Sequence, residues 1–130
     1  MNVLSVFFII SAHVSGEPES EDRHQELGDR LEELGGTKEV IGFCNEEEEK
    51  AWLFQPLFEP EHGVIKDILT DYGQKTALFV DGNRASYYVY AEEGRNDEFQ
   101  GKWVAVDTTL NIKNYTVDPG NGQAYTTVTR

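Results

Sequence analysis

The chain has 130 residues, 38% of them hydrophobic, 12% aromatic and 27% charged, which is enough for one domain around one core and too little for two. Eleven Lys and Arg against 24 Asp and Glu give a net charge of -13, and a pI of about 4.5 excludes a phosphate-backbone binder, whose surface must be basic. A single cysteine excludes an intramolecular disulfide and a cysteine-built zinc cluster.

Residues 3–12 read VLSVFFIISA. The run is too short to span a bilayer, which takes roughly 20 apolar residues. A secretory signal would also want basic residues ahead of it, and Met1-Asn2 supplies none. Its β-branched and aromatic content predicts a first strand over residues 3–14, buried on both faces. With one cysteine and no anchor, the expected compartment is the cytoplasm.

Residues 16–22 (GEPESED) form a polar turn, and Ser20 or Asp22 caps a helix running to about residue 34. Leu27, Leu31 and Leu34 make its apolar stripe, and Gly35-Gly36 stop it. A second strand covers 38–44, a charged connection 45–50 (NEEEEK), and a third strand 51–58, ended by Pro56 and Pro60. A second helix over 61–72 places Val64, Ile65, Ile68, Leu69 and Tyr72 on one face, and Gly73 closes it. Strands over 76–80 and 85–91 flank Asp81-Gly82-Asn83-Arg84, hairpin chemistry in which Gly and Asn tolerate positive φ. A sixth strand covers 102–107, and from Thr108 the pattern weakens into a turn or loose tail at residues 118–122.

The order β-α-β-β-α-β predicts an α+β, ferredoxin-like fold: an antiparallel sheet with two helices on one face, plus a C-terminal β-hairpin extension. The whole chain is then one domain, with a core over about 3–107 and an extension or tail over 108–130. An open sheet this small often hides an edge in an oligomer.

No GxGxxG or GxxxxGK[ST] phosphate loop is present. His13, His24 and His62 lack i, i+4 pairing, so no metal site is expected. Cys44 reads as a small buried hydrophobe. Asn114-Tyr115-Thr116 is a sequon, meaningful only in a secreted chain.

The unusual feature is Glu46-Glu47-Glu48-Glu49 between two strands. It is either a solvated hairpin tip or the start of a site. If Glu49 opens the third strand, alternation turns it toward a cleft while Lys50 faces away. A carboxylate there attracts an ammonium or sulfonium group, but which glutamate turns inward stays open. Ser11 and His13 close the first strand, at the sheet end where a loop site would form, although His13 also fits a structural role. Arg23 is a surface charge or a carboxylate clamp. Tyr87, Tyr88 and Tyr90 suit sheet packing, and any of them could stack on a base.

Several short segments recur in a telling order. Ile10-Ser11-Ala12-His13 ends the first strand, followed by Arg23-His24 and a helix through Leu31. Then come Gly42-Phe43-Cys44, Glu48-Glu49-Lys50, a second helix, Ala77-Leu78-Phe79-Val80 and Tyr88-Val89-Tyr90-Ala91. The series resembles the phage-encoded T3-type S-adenosylmethionine (SAM) hydrolase, or SAM lyase, family over roughly residues 6–94.

The resemblance implies that the catalytic carboxylate is Glu49, with Glu48 beside it and a one-residue slip open within the glutamate run. Ser11, His13, Arg23, Phe43, Tyr87 and Tyr88 are the substrate-binding candidates, with Phe43, Tyr87 and Tyr88 for the adenine. No metal or cofactor is implied, and from charge and the short apolar run neither a nucleic-acid nor a membrane partner is expected. The resemblance implies a homo-oligomer, a trimer, with SAM sites at subunit contacts in the host bacterial cytoplasm, where lost SAM defeats restriction and methylation. The products would be methylthioadenosine with homoserine lactone (lyase) or with homoserine (hydrolase). The reading from charge alone is different: a non-enzymatic acidic inhibitor of a basic nucleic-acid-binding host protein.

Overall fold

The structure is a computed structural model that describes residues 6–12, 20–44, 47–57, 62–107 and 114–128. Strand β1 (Phe7–Ile10) shows how its architecture arises. Its alternating side chains enter two different cores. Phe8 and Ile10 face a cluster with Leu27, Leu31, Phe54, Ile68 and Leu69. Phe7 faces a second cluster with Val80 and Trp103, against which Ile9, Leu53, Leu78 and Tyr125 pack.

The first cluster lies beneath helices α1 (Ser20–Glu32) and α2 (His62–Asp71), both packed on the outside of the sheet. Leu27 and Leu31 of α1 and Ile65, Ile68 and Leu69 of α2 are buried there, each set at helical spacing. The second cluster fills the inside of a closed barrel. Its strands are β1, β2 (Gly35–Cys44), β3 (Glu47–Pro56), β4 (Thr76–Val80), β5 (Ala85–Tyr90), β6 (Glu98–Val106), β7 (Asn114–Val117) and β8 (Ala124–Val128). Around the barrel the order is β1-β3-β2-β7-β8-β6-β5-β4, every neighbouring pair antiparallel.

This overturns the expected ferredoxin-like sheet. Strands β4-β1-β3-β2 are neighbours in that order, but the sheet does not stop at β2 or β4. The segment expected to be a hairpin extension or tail supplies β7 and β8, which bridge β2 to β6 and close the ring. A closed barrel has no free edge, so the sheet-edge argument for an oligomer falls away.

Local details also differ. Strand β3 starts at Glu47, so Glu48, Glu49 and Lys50 belong to a strand rather than to a connection. Gly35-Gly36 open β2 instead of ending α1. A Cβ at Gly35 would collide with the Gln55 carbonyl across the ladder. In the turn after β4, Asp81 Oδ1 accepts the Asn83 and Ala85 N–H groups at 2.8 and 3.0 Å. The left-handed residue is Arg84 (φ 64°), not Gly82 or Asn83. The β5–β6 register shifts between Ser86↔Gly101 and Tyr87↔Phe99, leaving Gln100 as the extra residue of a bulge. Such bulges bend a sheet toward closure.

The helices are tied to the barrel by specific bonds. Trp52 Nε1 donates to the His24 carbonyl at 2.8 Å, and the two rings stack 4.6 Å apart. The opposite edge of His24 meets Glu39 at 2.7 Å through Nε2, while its buried Nδ1 has no hydrogen-bond partner. Tyr72 donates its hydroxyl to Glu26 at 2.7 Å. Burial and that carboxylate neighbour both raise the Tyr72 pKa above the usual phenol value. No described helix is long and apolar enough to cross a membrane.

Candidate functional site

The β2–β3 ladder decides which glutamate turns inward. It pairs Gly42 with Glu49, Val40 with Ala51 and Lys38 with Leu53. Leu53 packs in the barrel interior, so Glu49, two steps of two residues away, shares its face. Glu48 and Lys50 alternate to the outside, where Lys50 Nζ donates to Glu21 of α1 at 3.0 Å. That bond and the Coulombic attraction raise the Lys50 pKa above its usual value.

Glu49 opens onto a cavity of about 630 Å³ at one end of the barrel. That volume falls within the roughly 300–1,000 Å³ of small-molecule sites. Ser11 and Tyr88 line it together with Glu49, whereas Phe43 contributes to its wall but pairs across the ladder with Glu48, so its ring lies on the outer face. Ser11 Oγ donates to the Lys50 carbonyl at 3.1 Å, which joins the end of β1 to β3 beside Glu49. Glu49 itself makes no ion pair or side-chain hydrogen bond with any described residue.

The rest of the lining was not legible as a site in the sequence. Phe43 is the ladder partner of Tyr115 as well as of Glu48, and the two rings stack on that outer face with centroids 4.8 Å apart and planes 16° from parallel. Tyr115 stood only within a sequon, in a stretch without clear periodicity. Gln74, Gln100 and Asn114 add amide groups to the lining. Gln100 is the bulge residue of β6, and no residue spacing announces a bulge. Next to Tyr88, Tyr90 donates its hydroxyl to Glu98 at 2.7 Å beneath the Arg95 guanidinium, 3.6 Å from the ring centre. The shared bond raises the Tyr90 pKa and lowers that of Glu98. Lys66 Nζ donates to the carbonyls of Tyr90 and Arg95 at 2.6 and 3.1 Å, which holds this corner.

The chain matches no family model and no curated protein sequence.

Four predicted site residues lie elsewhere, Phe43 among them because it shares the outer face with its ladder partner Glu48. Glu48 is exposed on the outer face of β3, because a one-residue step along a strand reverses the side chain. Tyr87 packs outside the barrel, 6.2 Å from the Phe79 ring and 5.6 Å from the Phe99 ring, for the same reason. Arg23 is neither a carboxylate clamp nor a free surface charge. Its Nε donates to the Ala12 carbonyl at 3.1 Å and its Nη2 to the Tyr72 carbonyl, tying the end of β1 to the end of α2. His13 and the side chain of Cys44 lie outside the described residues. Among the described residues no group of three or more His, Cys, Asp and Glu is placed to hold a metal ion.

Proposed function

We propose that this protein degrades S-adenosylmethionine in the Glu49 cavity, as a lyase releasing methylthioadenosine and homoserine lactone. The observation that carries the reading is the placement of Glu49. Its carboxylate faces an aromatic and amide-lined cavity, no described cation neutralises it, and Ser11 and Tyr88 share the space. SAM brings two cationic centres, the α-ammonium and the sulfonium. At about 4 Å a carboxylate attracts a cation by roughly 1 kcal/mol in water and roughly 4 kcal/mol near a protein surface.

The chemistry asks little of the protein beyond orientation. One oxygen of the substrate's own carboxylate attacks its γ-carbon. The C–O bond forms as the C–S bond breaks, and the electron pair leaves on sulfur as a neutral thioether. Glu49 holds the α-ammonium and folds the methionyl chain into the attack geometry. Because nucleophile and γ-carbon belong to one molecule, what positioning supplies is the freezing of the chain's rotors in the near-attack conformer. Tyr88, which shares its face with Leu78 of the barrel interior, offers an aromatic surface for the adenine. The hydrolase route would instead need Glu49 to activate a water as general base. The resemblance further supports a homotrimer with sites completed at subunit contacts, acting in the bacterial cytoplasm against SAM-dependent restriction and methylation.

The test is incubation of the purified protein with SAM, followed by chromatography and mass spectrometry. Methylthioadenosine with an early lactone peak supports the lyase. Immediate homoserine replaces it with the hydrolase. Glu49→Gln should abolish turnover, and Glu48→Gln should retain it. Intact SAM at high enzyme concentration would sink the reading, and tight, salt-sensitive capture of a basic nucleic-acid enzyme would replace it with the inhibitor.

A further inference from the structure

The opposite end of the barrel holds a second cavity, of about 450 Å³. Its floor is apolar, formed by Phe7, Leu53 and the Trp103–Tyr125 pair, whose rings stack 5.7 Å apart and 8° from parallel. Its rim carries Lys38, Arg84 and Asp118. Lys38 pairs with Asp118 Oδ2, and Asp118 Oδ1 accepts the Gly120 N–H at 2.8 Å. Those two charges cancel each other. Arg84 is left over: no carboxylate among the described residues pairs with it. It is also the one non-glycine residue with positive φ (64°) among the described residues, a conformation uncommon for a residue with a Cβ. The lining residues therefore carry one net positive charge, Lys38 and Arg84 against Asp118, with the Asp81 carboxylate turned to the Asn83 and Ala85 N–H groups behind the rim.

We infer that this end of the barrel is a second binding site, for a small amphipathic anion whose head group meets Arg84 and whose apolar body lies on the Trp103–Tyr125 floor. An eight-stranded barrel is wide enough inside to hold one small ligand. A mostly apolar cavity with a few polar groups at its rim is the usual form of such a site. Arg suits the head group because its planar fork matches a carboxylate or phosphate oxygen pair. The two ends have opposite signs, with an unpaired carboxylate at one and an unpaired guanidinium at the other. Trp103 and Tyr125 line both cavities and stand between them. This site does not depend on the SAM reading.

Calorimetric titration with octanoate, octanol and octyltrimethylammonium tests it. The long-range field of a protein at -13 favours the cation, so a preference for the anion must come from the rim. Octanoate should bind one-to-one and about tenfold or more tighter than octanol. In the Glu49→Gln background, which removes the carboxylate at the other end, it should also bind tighter than octyltrimethylammonium. Arg84→Gln should weaken octanoate about tenfold. Lys75→Gln, the same charge change at an exposed position away from the rim, should leave octanoate binding unchanged, and so should Glu49→Gln. The inference is overturned if octanoate does not bind, binds no tighter than octanol, binds no tighter than the cation to Glu49→Gln, or binds folded Arg84→Gln as well as wild type. Should Arg84→Gln fail to fold, the order of octanoate and octanol on wild type and of octanoate and the cation on Glu49→Gln decides. Loss of SAM turnover with octanoate binding intact would defeat the SAM reading alone.

Discussion

Gly42 stands directly opposite Glu49 across the β2–β3 ladder, and both line the same cavity. The missing side chain leaves room beside the carboxylate. A Cβ at Gly42 would sit 3.6 Å from the Glu49 carbonyl oxygen, an ordinary contact. Gly42→Ala should therefore fold and turn over SAM close to the wild-type rate. Gly42→Leu should fold but raise KM sharply, because its side chain fills the space the ammonium needs. Steady-state kinetics beside a thermal melt separates blocking from unfolding.

Tyr88 should matter through binding rather than through bond breaking. Stacking of an aromatic ring on a base is worth roughly 1–3 kcal/mol. Tyr88→Ser should then raise KM for SAM about tenfold with a smaller change in kcat. Equal losses in both would mean that the ring does something other than hold the adenine.

Two glycines are held by close packing. A Cβ at Gly28 would lie 2.5 Å from the Trp52 ring, pushing it off the His24 stack. Gly101 has φ 139° and faces the Val128 carbonyl across the β6–β8 pair. Gly28→Ala should cost about 1–3 kcal/mol, as overpacking does. Gly101→Ala should cost at least as much and should weaken closure by β8 first. Denaturant melts give the magnitudes, and hydrogen exchange in residues 124–128 shows where the barrel opens.

Asp118 should make stability pH-dependent. Burial raises its pKa, but the Lys38 ammonium and the Gly120 and Asn121 backbone N–H groups outweigh burial and hold it below the usual carboxylate value. A folded pKa below the unfolded one stabilises the protein above the unfolded value of about 3.9. That contribution is lost as pH falls through the folded value. Lys38→Gln should lower Tm at pH near 7, with the gap closing in acid. In an Asp118→Asn background the same change should lose its pH dependence, which separates the pair from the general effect of net charge.

Much of the polar site depended on one-residue distinctions. The run of four glutamates marked the region, and strand alternation predicted that an inward Glu49 would leave Lys50 outside. Which glutamate turned inward followed only from the register Gly42↔Glu49. The same distinction separates Tyr88, which lines the cavity, from Tyr87, which packs outside.

The local elements were written in the chain itself. Leu27 and Leu31, and Ile65, Ile68 and Leu69, recur at helical spacing, so each helix announces the face it buries. Thr76–Val80 is a strand from its composition alone. Closure was not visible there. Strands β7 (NYTV) and β8 (AYTTV) are short and rich in threonine, and only Ala124 among them is fully buried. Apart from Tyr125, which packs on Trp103, their inward residues are threonines and Asn114, so they lack the hydrophobic alternation that marks a strand. Pairing with β2 and β6 makes them staves. Hydrophobic period is a local property of the chain, so sequence alone determined the helices, the first strands and the two-sided burial of β1. Ring closure, register and the opposed charges at the two ends arise from contacts between distant residues, and only the tertiary structure decided them.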